Sequence, residues 1–101
     1  MKFGLTEDQY HFIIDTVVRP LAEKGWAVWC FGSRAKGTQQ KFSDLDLLVD
    51  GPGEIYLGSI EEQLIESNFP YKVDLVTYKN LAESYQEDVN RSKVLFLDDS
   101  K

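Results

Sequence analysis

Polar and apolar positions alternate along this chain with two different periods, and the changes of period mark its elements. Tyr10, Ile13, Ile14, Val17, Val18 and Leu21 recur at helical spacing and form one apolar stripe. Thr6-Glu7-Asp8-Gln9 ahead of them is a capping-box pattern, with Leu5 and Tyr10 placed to form the accompanying hydrophobic staple. Pro20 should kink this helix or end its regular part, and Gly25 closes it.

The period then shortens. Trp26 to Phe31 form an apolar run that predicts a first strand, and Gly32 ends it with a turn. Residues 44 to 50 alternate, with Leu45, Leu47 and Val49 on one side and Asp44, Asp46 and Asp50 on the other. This predicts a second strand, broken by Gly51-Pro52-Gly53. Glu54 to Ser67 read as a helix, with Leu57, Ile60 and Leu64 on one face and Glu61, Glu62 and Glu66 towards water. Asn68-Phe69-Pro70 stops it. Tyr71 to Tyr78 predict a third strand, and Leu81, Tyr85 and Val89 a short final helix. Val94 to Leu97 add either an edge strand or a contact surface for another chain. The order of elements predicts an α/β or α+β layer, with helices packed on one face of a small sheet. The other face is left to carry polar chemistry.

That chemistry concentrates between residues 31 and 47. Gly32 allows the backbone to approach a ligand closely. A short helix starting near Ser33 would offer its free N–H groups and the Ser33 hydroxyl to phosphate oxygens. Arg34 and Lys36 bring positive charge beside the turn, and Gly37 ends the piece. Side chains alternate on a strand, so Asp44 and Asp46 should share a face, roughly 6–7 Å apart along the chain. Asp74 sits between Val73 and Leu75 on the third strand, and faces that pair if the strands are neighbours. Bare carboxylates so close together repel. A hard divalent cation with oxygen ligands, normally Mg²⁺, relieves the repulsion and suits a substrate's phosphates. Ser43 reads as a turn residue that positions the aspartates, and Lys41 and Lys72 as solvated. His11 falls off the helical stripe and is given no function. Trp26 and Trp29 read as packing residues.

Gly32-Ser33, ten residues, then Asp44-x-Asp46 and a later strand carrying Asp74 resemble the signature of the DNA polymerase β-like nucleotidyltransferase superfamily. Within it the chain most resembles the minimal nucleotidyltransferases, the MntA-type antitoxins encoded beside HEPN-domain toxins. The resemblance implies a nucleotidyltransferase-type mixed sheet and a Mg²⁺-dependent enzyme, with a two-metal site and ATP as substrate. Asp44, Asp46 and Asp74 would hold the metals, and Asp74 would also serve as general base. Gly32, Ser33, Arg34 and Lys36 would bind the phosphates. It further implies transfer of AMP to a tyrosine of a cognate HEPN ribonuclease toxin, in a hetero-oligomer. Two other readings remain open. One is a non-catalytic antitoxin that covers its partner's active site. The other is the nucleotide-binding subunit of a two-component enzyme acting on a small molecule.

Composition bounds these readings. The 101 residues suit one domain, residues 1–101, and 43% hydrophobic with 28% charged residues describe an ordinary globular chain. The net charge of −6 argues against a direct grip on nucleic acid, which calls for a basic face. There is no apolar run of membrane-spanning length and no signal-peptide pattern, so no membrane partner is expected. Cys30, the only cysteine, reads as a small core residue, and a cytoplasmic location is the simplest expectation.

Overall fold

The computed structural model describes residues 2–97. The chain starts with α1 (Glu7–Ile13), continues through a π-helical stretch (Ile14–Val18) into α2 (Arg19–Ala22), and then enters β1 (Ala27–Phe31). A one-turn helix α3 (Ser33–Lys36) and a loop lead to β2 (Leu45–Asp50). Next come α4 (Gly58–Glu66), β3 (Val73–Thr77), α5 (Glu83–Ser92) and a two-residue β4 (Val94–Leu95).

The capping box is in place. Thr6 Oγ1 accepts from the Gln9 amide at 3.1 Å, and the Gln9 side chain accepts from the Thr6 amide at 2.8 Å. Pro20 lacks an N–H, and its ring would press on the carbonyl one turn back. The helix answers by widening to π geometry over the five residues just before Arg19, so the axis continues past the proline. Gly25, at φ +82, then turns the chain, and the Trp26 amide reaches back to the Leu21 carbonyl at 2.9 Å.

Four strands form one sheet in the order β3-β2-β1-β4. β1 runs antiparallel to β2 and β4, whereas β2 and β3 are parallel, so the sheet is mixed. On one face Val28, Cys30, Leu45, Leu47 and Val49 share a buried cluster with Ile13, Ile14, Val17 and Leu21 of the first helical segment and Ile60 of α4. That face is the core. Alternation places Phe31, Asp46, Leu48 and Trp29 on the opposite face. There Lys93, just after α5, lies 4.3 Å over the Trp29 ring, and Asn90 of α5 donates to the Tyr78 hydroxyl at 2.8 Å. The helices are therefore not confined to one side as the pattern suggests, because α5 is tied to the second face.

Of residues 94 to 97, Val94 and Leu95 form an edge strand. They pair with Cys30 and Trp29. Phe96, only 2% exposed, stacks on Tyr10 at 4.5 Å and on Phe3 at 5.1 Å, and Tyr10 donates to the Leu97 carbonyl at 2.7 Å. α4 begins four residues later than the pattern predicts. Ile55 and Leu57 instead come ahead of the helix, partly buried against the core. No helix among the described residues is long and apolar enough to cross a membrane.

Candidate active site

Cross-strand register assembles the site. Phe31 of β1 is opposite Asp46 of β2, which in turn is opposite Asp74 of β3. Gly32 follows Phe31 at φ +75, a left-handed conformation that disfavours side chains. A Cβ at Gly32 would lie 2.6 Å from Asp46 Oδ2. The glycine thus lets the turn close directly onto the carboxylate. α3 starts from this turn, and Gly37, also at φ +75, ends it.

Asp46 and Asp74 face one another in register across β2 and β3. Burial first, then the charges of Asp74 and Asp44, hold the Asp46 carboxyl above the usual carboxylate range, with the side-chain contact to Asp74 adding to the effect. Lys72 works the other way. Its Nζ is 3.6 Å from Asp74 Oδ1. Asp44 lies one residue before β2 and is exposed, so it is not the strand residue that alternation predicts. It stands near enough for its charge to act on Asp46.

Among the described residues no three acidic, histidine or cysteine side chains form a ready-made metal cage. What the chain does offer is a pair of oxygen donors held in contact. Mg²⁺ commonly binds through one or two carboxylates plus substrate phosphates, so this donor set fits it once a nucleotide completes the shell.

The two basic residues of α3 part company. Arg34 is 3% exposed. Its Nε and Nη2 donate to the Ser43 carbonyl at 3.1 and 2.8 Å, and its Nη1 donates to the Phe3 carbonyl at 2.9 Å. The guanidinium also lies 4.1 Å over the Tyr71 ring. It is not the phosphate-facing cation that its place in the sequence suggests. Instead it ties the loop just ahead of Asp44 to the N-terminal segment and to the entry of β3. Lys36 stays at the surface, 3.4 Å from Asp88 of α5.

Cys30 sits on the core face, and burial, with Asp46 nearby, pushes its thiol up to about 12. A thiol so hard to ionise is no nucleophile.

Lys72, just ahead of β3, keeps an exposed side chain, as its solvated reading predicts, and pairs with Asp74 at the surface. Tyr71 as the surface on which Arg34 stacks could not be read before the fold was known.

A sheet of this order, with a glycine turn closed onto an acidic pair, is the frame of an enzyme that handles phosphates. The chain belongs to the nucleotidyltransferase domain family, whose sequence model matches residues 13–96. It is a nucleotidyltransferase. It is 32% identical over 92 residues to a Haemophilus influenzae protein named "Probable protein adenylyltransferase MntA", covering 88% of this chain and 80% of that one. A crystal structure of a toxin–antitoxin with AMP-PNP has the same fold, at a TM-score of 0.65 and 21% identity. The match covers 92% of this chain and 73% of that one.

Proposed function

We propose that residues 1–101 form one minimal nucleotidyltransferase domain that acts as an antitoxin, moving AMP from ATP onto a tyrosine of a partner HEPN ribonuclease toxin. The observation that carries the reading is the Asp46–Asp74 pair with Gly32 closed onto it. The name of the Haemophilus influenzae relative supports adenylyl transfer to a protein, and the toxin–antitoxin neighbour supports the setting.

Asp46 and Asp74, with Asp44 at the rim, would hold Mg²⁺. Bound there, the metal supplies charge neutralisation and Lewis acidity at the phosphates. The chain's own groups do the rest. The Gly32–Ser33 turn presents backbone N–H groups and the Ser33 hydroxyl to the β and γ phosphates. Lys36 is the cation left at the surface for the departing pyrophosphate, once it leaves Asp88. Arg34 acts indirectly, by holding the Ser43 carbonyl and so the position of Asp44. Asp74 accepts the proton of the attacking hydroxyl.

The test is incubation with α-labelled ATP, Mg²⁺ and the protein encoded beside this chain, followed by mapping of the label. Label on a tyrosine of that protein, lost in Asp46→Asn, is the expected result. Full neutralisation of the partner by an Asp44→Ala/Asp46→Ala variant, with no label moved by wild type, would replace enzyme with binding module.

A further inference from the structure

The sheet has two edges, and the one at β4 is left open. β4 pairs with β1 on one side, and no strand among the described residues lies on its other side. Backbone groups alternate in direction along an antiparallel strand. The Phe96 amide points inward and donates to the Val28 carbonyl at 2.9 Å, so the amides of Leu95 and Leu97 point outward. The side chains there are apolar. Val94, Leu95 and Leu97 are 44%, 36% and 54% exposed, and residues 94–97 carry no charge. Proteins usually protect such an edge with charge, proline or a covering segment.

Beside that edge, a groove of about 440 Å³ lies between β4, α3 and the N-terminal segment. Its charged lining is Lys2, Arg34 and Lys36, with no acidic residue among the described residues that line it. In a chain of net charge −6 this is a local reversal of sign. Arg34 sharpens it. Buried charges are normally paired. This buried guanidinium has two carbonyls and a tyrosine ring as partners and no carboxylate among the described residues. The carbonyls satisfy its N–H groups and leave its charge without a counter-charge. Lys36 pairs with Asp88 at 3.4 Å in an exposed contact, which is worth little in water.

These features select an occupant. Outward amides suit an extended backbone, which can add a strand to a free edge. The exposed Val94, Leu95 and Leu97 suit apolar side chains, and the cations suit carboxylates. A second copy of the chain fits less well, because pairing β4 with itself would bring two basic grooves together. We propose that this groove docks an extended segment of a partner protein, carrying apolar and carboxylate side chains, as an added strand on β4. The docking uses neither the acidic pair nor the glycine turn, so it is tested separately from the transferase reading.

The probe is a capped heptapeptide of alternating glutamate and valine, added to the full isotope-labelled chain. At saturation, amide shifts should map to residues 2–3, 34–37 and 93–97. Hydrogen exchange at the Leu95 and Leu97 amides should slow by about tenfold or more, while the Phe96 amide is protected already in the free chain. The same peptide with lysine in place of glutamate should bind at least about tenfold more weakly. Leu97→Glu leaves the backbone carbonyl that serves Tyr10 in place and should weaken the probe by about tenfold, and Leu97→Lys by less. Ile65→Glu, on exposed α4 surface, should change nothing. Melting temperatures near wild type show that the variants fold. Absent or misplaced shifts, unchanged exchange at Leu95 and Leu97, or equal binding of the lysine peptide would overturn the proposal. So would self-association of the chain that Leu97→Glu abolishes, which assigns the edge to a second copy. Probe binding seen only after deletion of residues 98–101 would overturn it too, by giving the groove to the chain's own end.

Discussion

The two faces of β2 are made by one six-residue strand and behave as opposites. Leu45, Leu47 and Val49 turn towards the helices and are fully buried, each adding apolar area to one continuous core. Asp46, on the other face, is half-buried against a second carboxylate and held above its usual pKa. The first face stabilises the fold. On the second, Leu48 is buried as well, but Asp46 works against the fold at neutral pH, because an ionised carboxylate next to Asp74 is costly. A site of this kind persists because the packing behind it over-determines the backbone that presents it.

Asp46→Asn is the sharpest way to break that contrast. Transfer should fall by about a thousandfold or more, measured as kcat/KM with labelled ATP. Stability should move the other way. A carboxyl whose native pKa is raised contributes stability that is fully present below its unfolded pKa and is lost as pH rises through the native value. Asparagine cannot ionise, so the variant should melt higher than wild type at pH 7. The gap should close as pH falls below about 4, the ordinary aspartate range. Mg²⁺ should raise the melting temperature of wild type and have little effect on the variant. A variant that melts lower than wild type at pH 7 would contradict the electrostatic account.

Leu47→Ala, one residue along on the opposite face, should cost about 2–5 kcal/mol in urea unfolding, with no pH dependence of its own. Arg34→Ala removes the donors to two carbonyls and should cost about 2–3 kcal/mol. If Arg34 positions the loop and does not hold phosphate, the KM for ATP should change little in molecules that remain folded. A KM for ATP that rises at unchanged stability would return Arg34 to the phosphate site. Gly32→Ala should cost about 1–2 kcal/mol for a side chain at positive φ and should also depress transfer, since its methyl would meet Asp46 Oδ2. Thr6→Ala, far from the chemistry, should cost about 1 kcal/mol through the lost cap and leave the transfer rate as it was.

Much of this protein was legible in its residues because short-range periodicity carries it. The capping box at Thr6, the apolar stripe from Tyr10 to Leu21, and the alternation of Leu45, Leu47 and Val49 are local patterns, and each became the element it predicts. The Gly-Ser turn and the spacing to Asp44 and Asp46 pointed to the family for a similar reason. A turn, a short helix and a strand must follow one another at fixed distances if a phosphate chain is to reach from one to the next.

Burial and partner choice belong to the tertiary structure. Arg34 and Lys36 are two residues apart with the same charge, and nothing local separates the buried clamp from the surface cation. The distinction appears only when Phe3, Ser43 and Tyr71 converge on one side of α3. Likewise the parallel pairing of β2 with β3 brought Asp74 to Asp46, and the antiparallel pairing of β1 brought Gly32 to the same carboxylate. A sequence specifies which side chains can face each other along one strand. Which strands lie side by side depends on how the whole core packs, and in this protein that packing decided which charges meet.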